Sequence, residues 1–245
     1  MAGRGRIWIG TSGWQYDHWV GPVYPEELPG GSFLTHYAGM LDSVEVNSSF
    51  YGLPSAATVA RWREATPPDF LFAVKASRYV THMKKLKDPD EGIARLFAAI
   101  EPLADKLGPI LFQLPPRWRV NANRLEAFLA ALPAGRHYAF EFRDDSWHCS
   151  EVLGMLARHN AAFCVFDLAG RRSPVEVTAD FAYVRLHGPD GAYRGNYDGR
   201  ALRGWARRIA GWRDAGLDVY CYFDNDEAGY AFANAVRLRE ILATP

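Results

Sequence analysis

Apolar residues fall into short runs separated by longer stretches of helical period. Residues 6–10, 43–47, 70–75, 110–113, 138–142, 162–166, 181–187 and 219–223 form eight such runs. Each is rich in aromatic and β-branched side chains and is bounded by Gly, Pro, Asp or Asn, which predicts a strand. Helices are predicted between them over 34–41, 55–65, 123–132, 150–159, 198–215 and 226–242. One more begins at Asp88-Pro89-Asp90-Glu91, an N-cap, a first-turn Pro and a capping-box Glu. Its stop is expected at Gly108-Pro109. Asn225 or Asp226 is expected to cap the last helix. Only Gly170-Arg-Arg-Ser-Pro174, after the sixth strand, reads as loop. Strand–helix alternation repeated eight times predicts an α/β fold, a (β/α)8 TIM-like barrel with an irregular or missing helix after strand six. One barrel domain over 1–245 is expected, closed by pairing of the first strand with the last. An open doubly wound sheet would show a Gly-rich phosphate turn after strand one, and no GxGxxG occurs.

Alternation along the strands turns attention to their C-terminal ends, which collect at one mouth in a barrel. Glu45 with Asn47, Glu141 with Arg143, and Arg185 with His187 each share one strand face. Val46, Phe142 and Leu186 lie between them and suit the layer beneath the helices, so the polar pairs are expected to point inward. Ser12, Lys75, Gln113, Asp167 and Asn225 end other strands. A structural ion pair between Glu45 and Lys75, or between Glu141 and Arg143, is the bland alternative. Asp167 fits a turn cap. Trp14, Tyr16, Trp19, Phe50, Tyr51 and Trp147 are together candidate walls for a sugar ring or a base.

Composition narrows the partners. Lys plus Arg and Asp plus Glu are each 28, which argues against a duplex nucleic-acid partner. Arg203, Arg207, Arg208 and Arg213 crowd one helix and read as a solvated face. Hydrophobic residues make up 49% of the chain, yet no run approaches the ~20 apolar residues of a membrane span. Cys149, Cys164 and Cys221 are scattered and odd in number, which fits a reducing cytoplasm rather than a disulfide framework or a zinc site. No metal and no cofactor is expected.

Several motifs in order resemble the DUF72, or YecE-like, family. They are Gly10-Thr-Ser-Gly-Trp14, Trp19-Val-Gly-Pro-Val-Tyr-Pro25, Val44-Glu-Val-Asn-Ser-Ser-Phe-Tyr51, Phe72-Ala-Val-Lys75 with Thr81-His82, Leu111-Phe-Gln-Leu-Pro-Pro116, Glu141-Phe-Arg143 with Ser146-Trp147, and Arg185-Leu-His-Gly188. Phe223-Asp-Asn225 is similar to the family's Phe-Asn-Asn, with Asp224 in the middle place. The resemblance implies a TIM-like barrel and no particular reaction.

The residues themselves suggest metal-free acid–base chemistry, of hydrolase or lyase type, on a small anionic or polyhydroxylated substrate. Glu141, His187, Glu45 and Lys75 are the candidate catalytic groups. Ser12, Trp14, Asn47, Tyr51, Gln113, Arg143, Trp147, Arg185 and Asn225 are the candidate ligand-binding groups. Lys75, Arg143 and Arg185 outnumber Glu45 and Glu141, so an anion is expected to balance the site. A paired-carboxylate glycosidase and a Schiff base on Lys75 are versions of this reading. The alternatives are metal-assisted chemistry on Glu141, Asp167, His187 and Asp224 or Asp226, and a non-catalytic binder of nucleic-acid ends, nucleotides or sugars.

Overall fold

The computed structural model describes residues 3–244. Its strands are β1 (Ile7–Thr11), β2 (Ser43–Val46), β3 (Leu71–Lys75), β4 (Leu107–Leu114), β5 (Tyr138–Phe142), β6 (Ala161–Leu168), β7 (Arg171–Arg172), β8 (Phe181–Leu186) and β9 (Asp218–Phe223). The order around the sheet is β1-β9-β8-β6-β5-β4-β3-β2, parallel throughout, with β7 an antiparallel spur on β6. The first strand pairs with the last, Gly10 opposite Tyr222. Helices α1 (Phe33–Ala38), α2 (Ala56–Glu64), α3 (Pro89–Ile100), α4 (Ala122–Ala131), α5 (Ser150–Arg158), α6 (Gly199–Asp214) and α7 (Tyr230–Ala243) surround the strands. The fold is a TIM-like barrel, and the β7 spur stands where the helix after β6 would be. No helix among the described residues is long and apolar enough to cross a membrane.

The helix starts follow local chemistry. Ser55, Asn121 and Asp198 each accept a hydrogen bond from a backbone N–H three residues on, as N-caps do. Two expectations fail. Neither Asn225 nor Asp226 caps α7; a short 3-10 turn intervenes, and Gly229 enters the helix at φ 76°. Gly108-Pro109 is no helix stop but the start of β4, where the ladder with β3 shifts register. A proline without an N–H is tolerated where pairing is already irregular.

Closure between β1 and β2 is made differently from the other seams. The strands share a single bridge, Ser12 opposite Glu45. Below it the Tyr37 hydroxyl, delivered by α1, accepts from the Thr11 N–H at 2.9 Å and donates to the Ser43 carbonyl at 3.0 Å. One buried phenol thus satisfies backbone groups that a ladder would otherwise pair. Gly10 permits the approach, because a Cβ there would lie 2.0 Å from the Ser43 carbonyl oxygen.

Period two sorts the side chains into two layers. Val44, Val46, Phe112, Phe140, Phe142, Val184, Leu186 and Phe223 belong to the core beneath the helices. Trp8, Ala73, Leu111, Ala139, Ala162, Cys164, Phe181, Tyr183, Tyr220 and Tyr222 fill the barrel itself. Small residues on β3, β5 and β6 face the large aromatics of β1, β8 and β9, so the interior packs without a bore.

Candidate active site

Above the aromatic filling the barrel interior turns ionic. Arg185, fully buried on β8, is its hub. Its Nη2 donates to Glu45 Oε1 at 2.7 Å and to Asp224 Oδ2 at 2.9 Å, and its Nη1 donates to Glu141 Oε2 at 2.7 Å. Glu45 also accepts from Ser12 Oγ at 2.7 Å and from the Tyr183 hydroxyl at 2.6 Å. Arg143 Nε presses on Glu141 Oε1 without the angle of a hydrogen bond. Burying three carboxylates is tolerable only because each meets a guanidinium or another donor. Burial alone would raise the Glu141 pKa, but Arg143, Arg185 and His187 hold it well below the usual 4.5. Asp224 is likewise pulled down against burial by Arg185 and His187.

His187 is enclosed by this network. Its Nδ1 lies 3.0 Å from Asp224 Oδ2, while Arg143 Nη2 and Arg185 Nη1 approach Nε2 at 3.1 and 3.4 Å. Glu141 Oε1 is 3.3 Å from the same nitrogen. With two guanidinium groups directed at Nε2, Nδ1 is the nitrogen that faces Asp224.

A cleft of about 480 Å³ opens above the ring, lined by Trp14, Gln15, Tyr16, Asn47, Ser48, Tyr51, Lys75, Tyr193, Asp224 and Asp226, with Gly13 at its edge. Lys75 and Asp224 are where ring and cleft meet. Among the described residues Lys75 makes no ion pair; its ammonium sits 4.4 Å from the centre of the Phe50 ring. Burial and then the charge of Arg185 lower its pKa to about 8, against the pull of Asp224, Glu45 and Glu141. Asp226 is pushed the opposite way from Asp224: burial and the Asp224 charge raise its pKa. Asn47 Oδ1 is buried without a protein partner.

The sequence candidates therefore separate. Trp14, Asn47, Tyr51 and Lys75 line the cleft. Ser12, Glu45, Glu141, Arg143, Arg185 and His187 come together in the ring beneath it. Gln113 is buried next to Glu141 in the β4–β5 register, its Oε1 without a protein partner. Trp147 lies in the layer under the helices, stacked on Phe142 and donating to the Trp118 carbonyl. Asn225 donates to the Gly195 carbonyl and to Asn234 Oδ1, tying the loop after β8 to α7. Asp167 pairs with Arg172 on the β7 spur, away from the ring. Tyr193 is not among the sequence candidates; Tyr16 enters only as one of the loop aromatics, and Asp224 and Asp226 only as alternatives for a metal site. Asp224 stood at a strand end in plain view; the other three sit on loops whose course spacing does not fix.

The ionic count also changes. With Asp224 the ring holds three carboxylates against Lys75, Arg143 and Arg185, so it is balanced without a bound anion. Arg185 fills the space between Glu45 and Glu141 that a glycosidic bond would need. It also takes the central place a metal would occupy between the carboxylates. Among the described residues no group of three or more His, Cys, Asp or Glu side chains is arranged to hold a metal ion.

Known proteins agree with this architecture. The chain is 32% identical over 140 residues to the UPF0759 protein YecE of Escherichia coli K12, covering 56% of this chain and 48% of YecE, so the match spans about half of that relative's length. It is 26% identical over 273 residues to the UPF0759 protein YunF of Bacillus subtilis 168, covering 96% and 94% of the two chains. The crystal structure of a DUF72 family protein from Thermotoga maritima MSB8 superposes with a TM-score of 0.88 at 30% identity, over 97% of this chain and 99% of that one. The family model described as "Protein of unknown function DUF72" matches residues 8–245, and with that span the chain belongs to the DUF72 family.

Proposed function

We propose that this barrel is an enzyme that carries out metal-free acid–base chemistry on a small polyhydroxylated substrate bound in the cleft at the C-terminal mouth. The observation that carries the reading is that Lys75, Asp224 and Asp226 all line the same cleft. Two carboxyl groups whose proton affinities are driven apart are the usual mark of an acid and a base sharing a site. Asp226 is the proton donor. Asp224, held through Oδ2 by Arg185 and His187, presents Oδ1 as the acceptor. Lys75 faces an electron-rich oxygen of the substrate, anionic or carbonyl. The tyrosines and Trp14 provide flat walls for a sugar-like skeleton, and Asn47 and Ser48 provide hydroxyl partners. In this reading Glu45, Glu141, Arg143, Arg185 and His187 are positioning residues that fix Asp224 from below.

The competing reading is a non-catalytic binder of polyanions such as nucleic-acid ends. One feature favours it: a groove on the outside of the barrel is lined by Arg172, Arg200, Arg207 and Arg208 beside Trp205. That groove shares no lining residue with the cleft, and the chain has no net charge.

Ligand-observed NMR with a panel of sugar phosphates, hydroxy acids and neutral sugars tests the proposal. Binding by the wild type, weakened about tenfold or more by Lys75→Ala in a folded protein, is the expected result, equivalent to at least about 1.4 kcal/mol. Failure of every compound, or equal binding by the variant, contradicts it.

A further inference from the structure

We propose that Lys75 is a covalent catalyst that forms an imine with the carbonyl carbon of a hydroxylated aldehyde or ketone. The inference deepens the reading above and rests on it, since it takes the oxygen facing Lys75 to be that of a carbonyl group.

The geometry favours nucleophilic attack over ion pairing. All three ring carboxylates are already engaged, Glu45 by Arg185, Tyr183 and Ser12, Glu141 by Arg185 and Arg143, and Asp224 by Arg185 and His187. No carboxylate is left within ion-pairing distance of the Lys75 ammonium among the described residues, and the amine reaches the cleft from a buried stem. A lysine that is desolvated, near other cations and unclamped by a carboxylate is the activated form of this nucleophile. A lysine meant only to hold an anion would keep its charge more cheaply beside a free carboxylate.

The proton steps match the two aspartates. Lys75 passes one ammonium proton to Asp224 through an intervening water in the cleft. The neutral Nζ attacks the carbonyl carbon, forming the C–N bond while the C=O π pair moves to oxygen. Asp226 protonates that oxygen and recovers a proton from nitrogen, giving a carbinolamine. The nitrogen lone pair then expels the hydroxyl group, which leaves as water with the proton from Asp224. The ammonium and carbonyl have become an iminium ion and one water, with charge conserved and no redox change.

Reductive trapping tests the proposal. The full chain is incubated near pH 7.5 with dihydroxyacetone, or with glyoxylate as an anionic probe, and borohydride is added to reduce any imine to a stable secondary amine. Peptide mass spectrometry is expected to find the adduct on Lys75 about tenfold or more above the exposed Lys85 and Lys87, because more of the amine is neutral near that pH. Asp226→Asn should slow trapping while leaving the site of modification unchanged, and Lys75→Arg should abolish the adduct. Dihydroxyacetone outperforming glyoxylate assigns a neutral oxo compound; the reverse order assigns an oxo acid. Labelling of Lys75 no faster than Lys85 and Lys87 by either probe overturns the imine. If Lys75→Ala still loses ligand in the NMR panel, the acid–base reading survives that failure; if it does not, both fall.

Discussion

At the bottom of the barrel the interior is filled by Trp8, Phe181 and Tyr220; four residues further along the same three strands it holds Ser12, Arg185 and Asp224. The backbone is the same and the inward face is the same, since four residues preserve the period of two. The lower layer is secured by area and ring geometry, Trp8 lying on Tyr220 with centroids 4.8 Å apart. The upper layer is secured by pairing, and pairing is specific where packing is forgiving. Among the described residues of the mouth, Lys75 is the cation that the ring's pairing leaves unengaged.

The largest effects come from breaking each layer at its centre. Arg185→Met strands three buried carboxylates, and the expected loss is about 3–5 kcal/mol in urea denaturation. Trp8→Ala should cost a similar amount, about 3–5 kcal/mol, through its cavity. The two variants part at the cleft: the first should abolish ligand binding at any temperature where it folds, the second should leave it intact.

Lys75→Met sharpens the contrast by acting in the other direction. The folded state disfavours the Lys75 ammonium, so the unfolded chain binds more protons between about pH 8 and 10.5 and stability from this group rises with pH across that window. The variant should therefore be more stable than wild type at pH 7, by up to about 3 kcal/mol, and the gap should close as pH rises through the window. A smaller change follows from Tyr183→Phe, which removes one donor from buried Glu45; about 1.5–3 kcal/mol is expected from thermal or urea unfolding.

Much of this was legible in the residue pattern. Short apolar runs fixed the eight barrel strands, and the apolar Val46, Phe142 and Leu186 between polar neighbours pointed Glu45, Glu141, Arg143, Arg185 and His187 inward. What pattern could not express is who consumes whom. That Arg185 is spent on Glu45, Glu141 and Asp224 depends on side-chain reach across the barrel. Asp224 looked like a departure from a family amide and is instead the link between ring and cleft. Trp147 is aromatic and adjacent to the motif, but the turn after β5 folds it back onto Phe142. Tyr16, Tyr193 and Asp226 ride on loops, where no periodicity constrains direction.

Whether the ring leaves Lys75 as a free and readily neutralised amine in the cleft is decided by titrating its Cε resonance in 13C-lysine-labelled protein, assigned with Lys75→Met. A midpoint near 8 is the predicted result. A midpoint at the ordinary lysine value of 10.5 would contradict it.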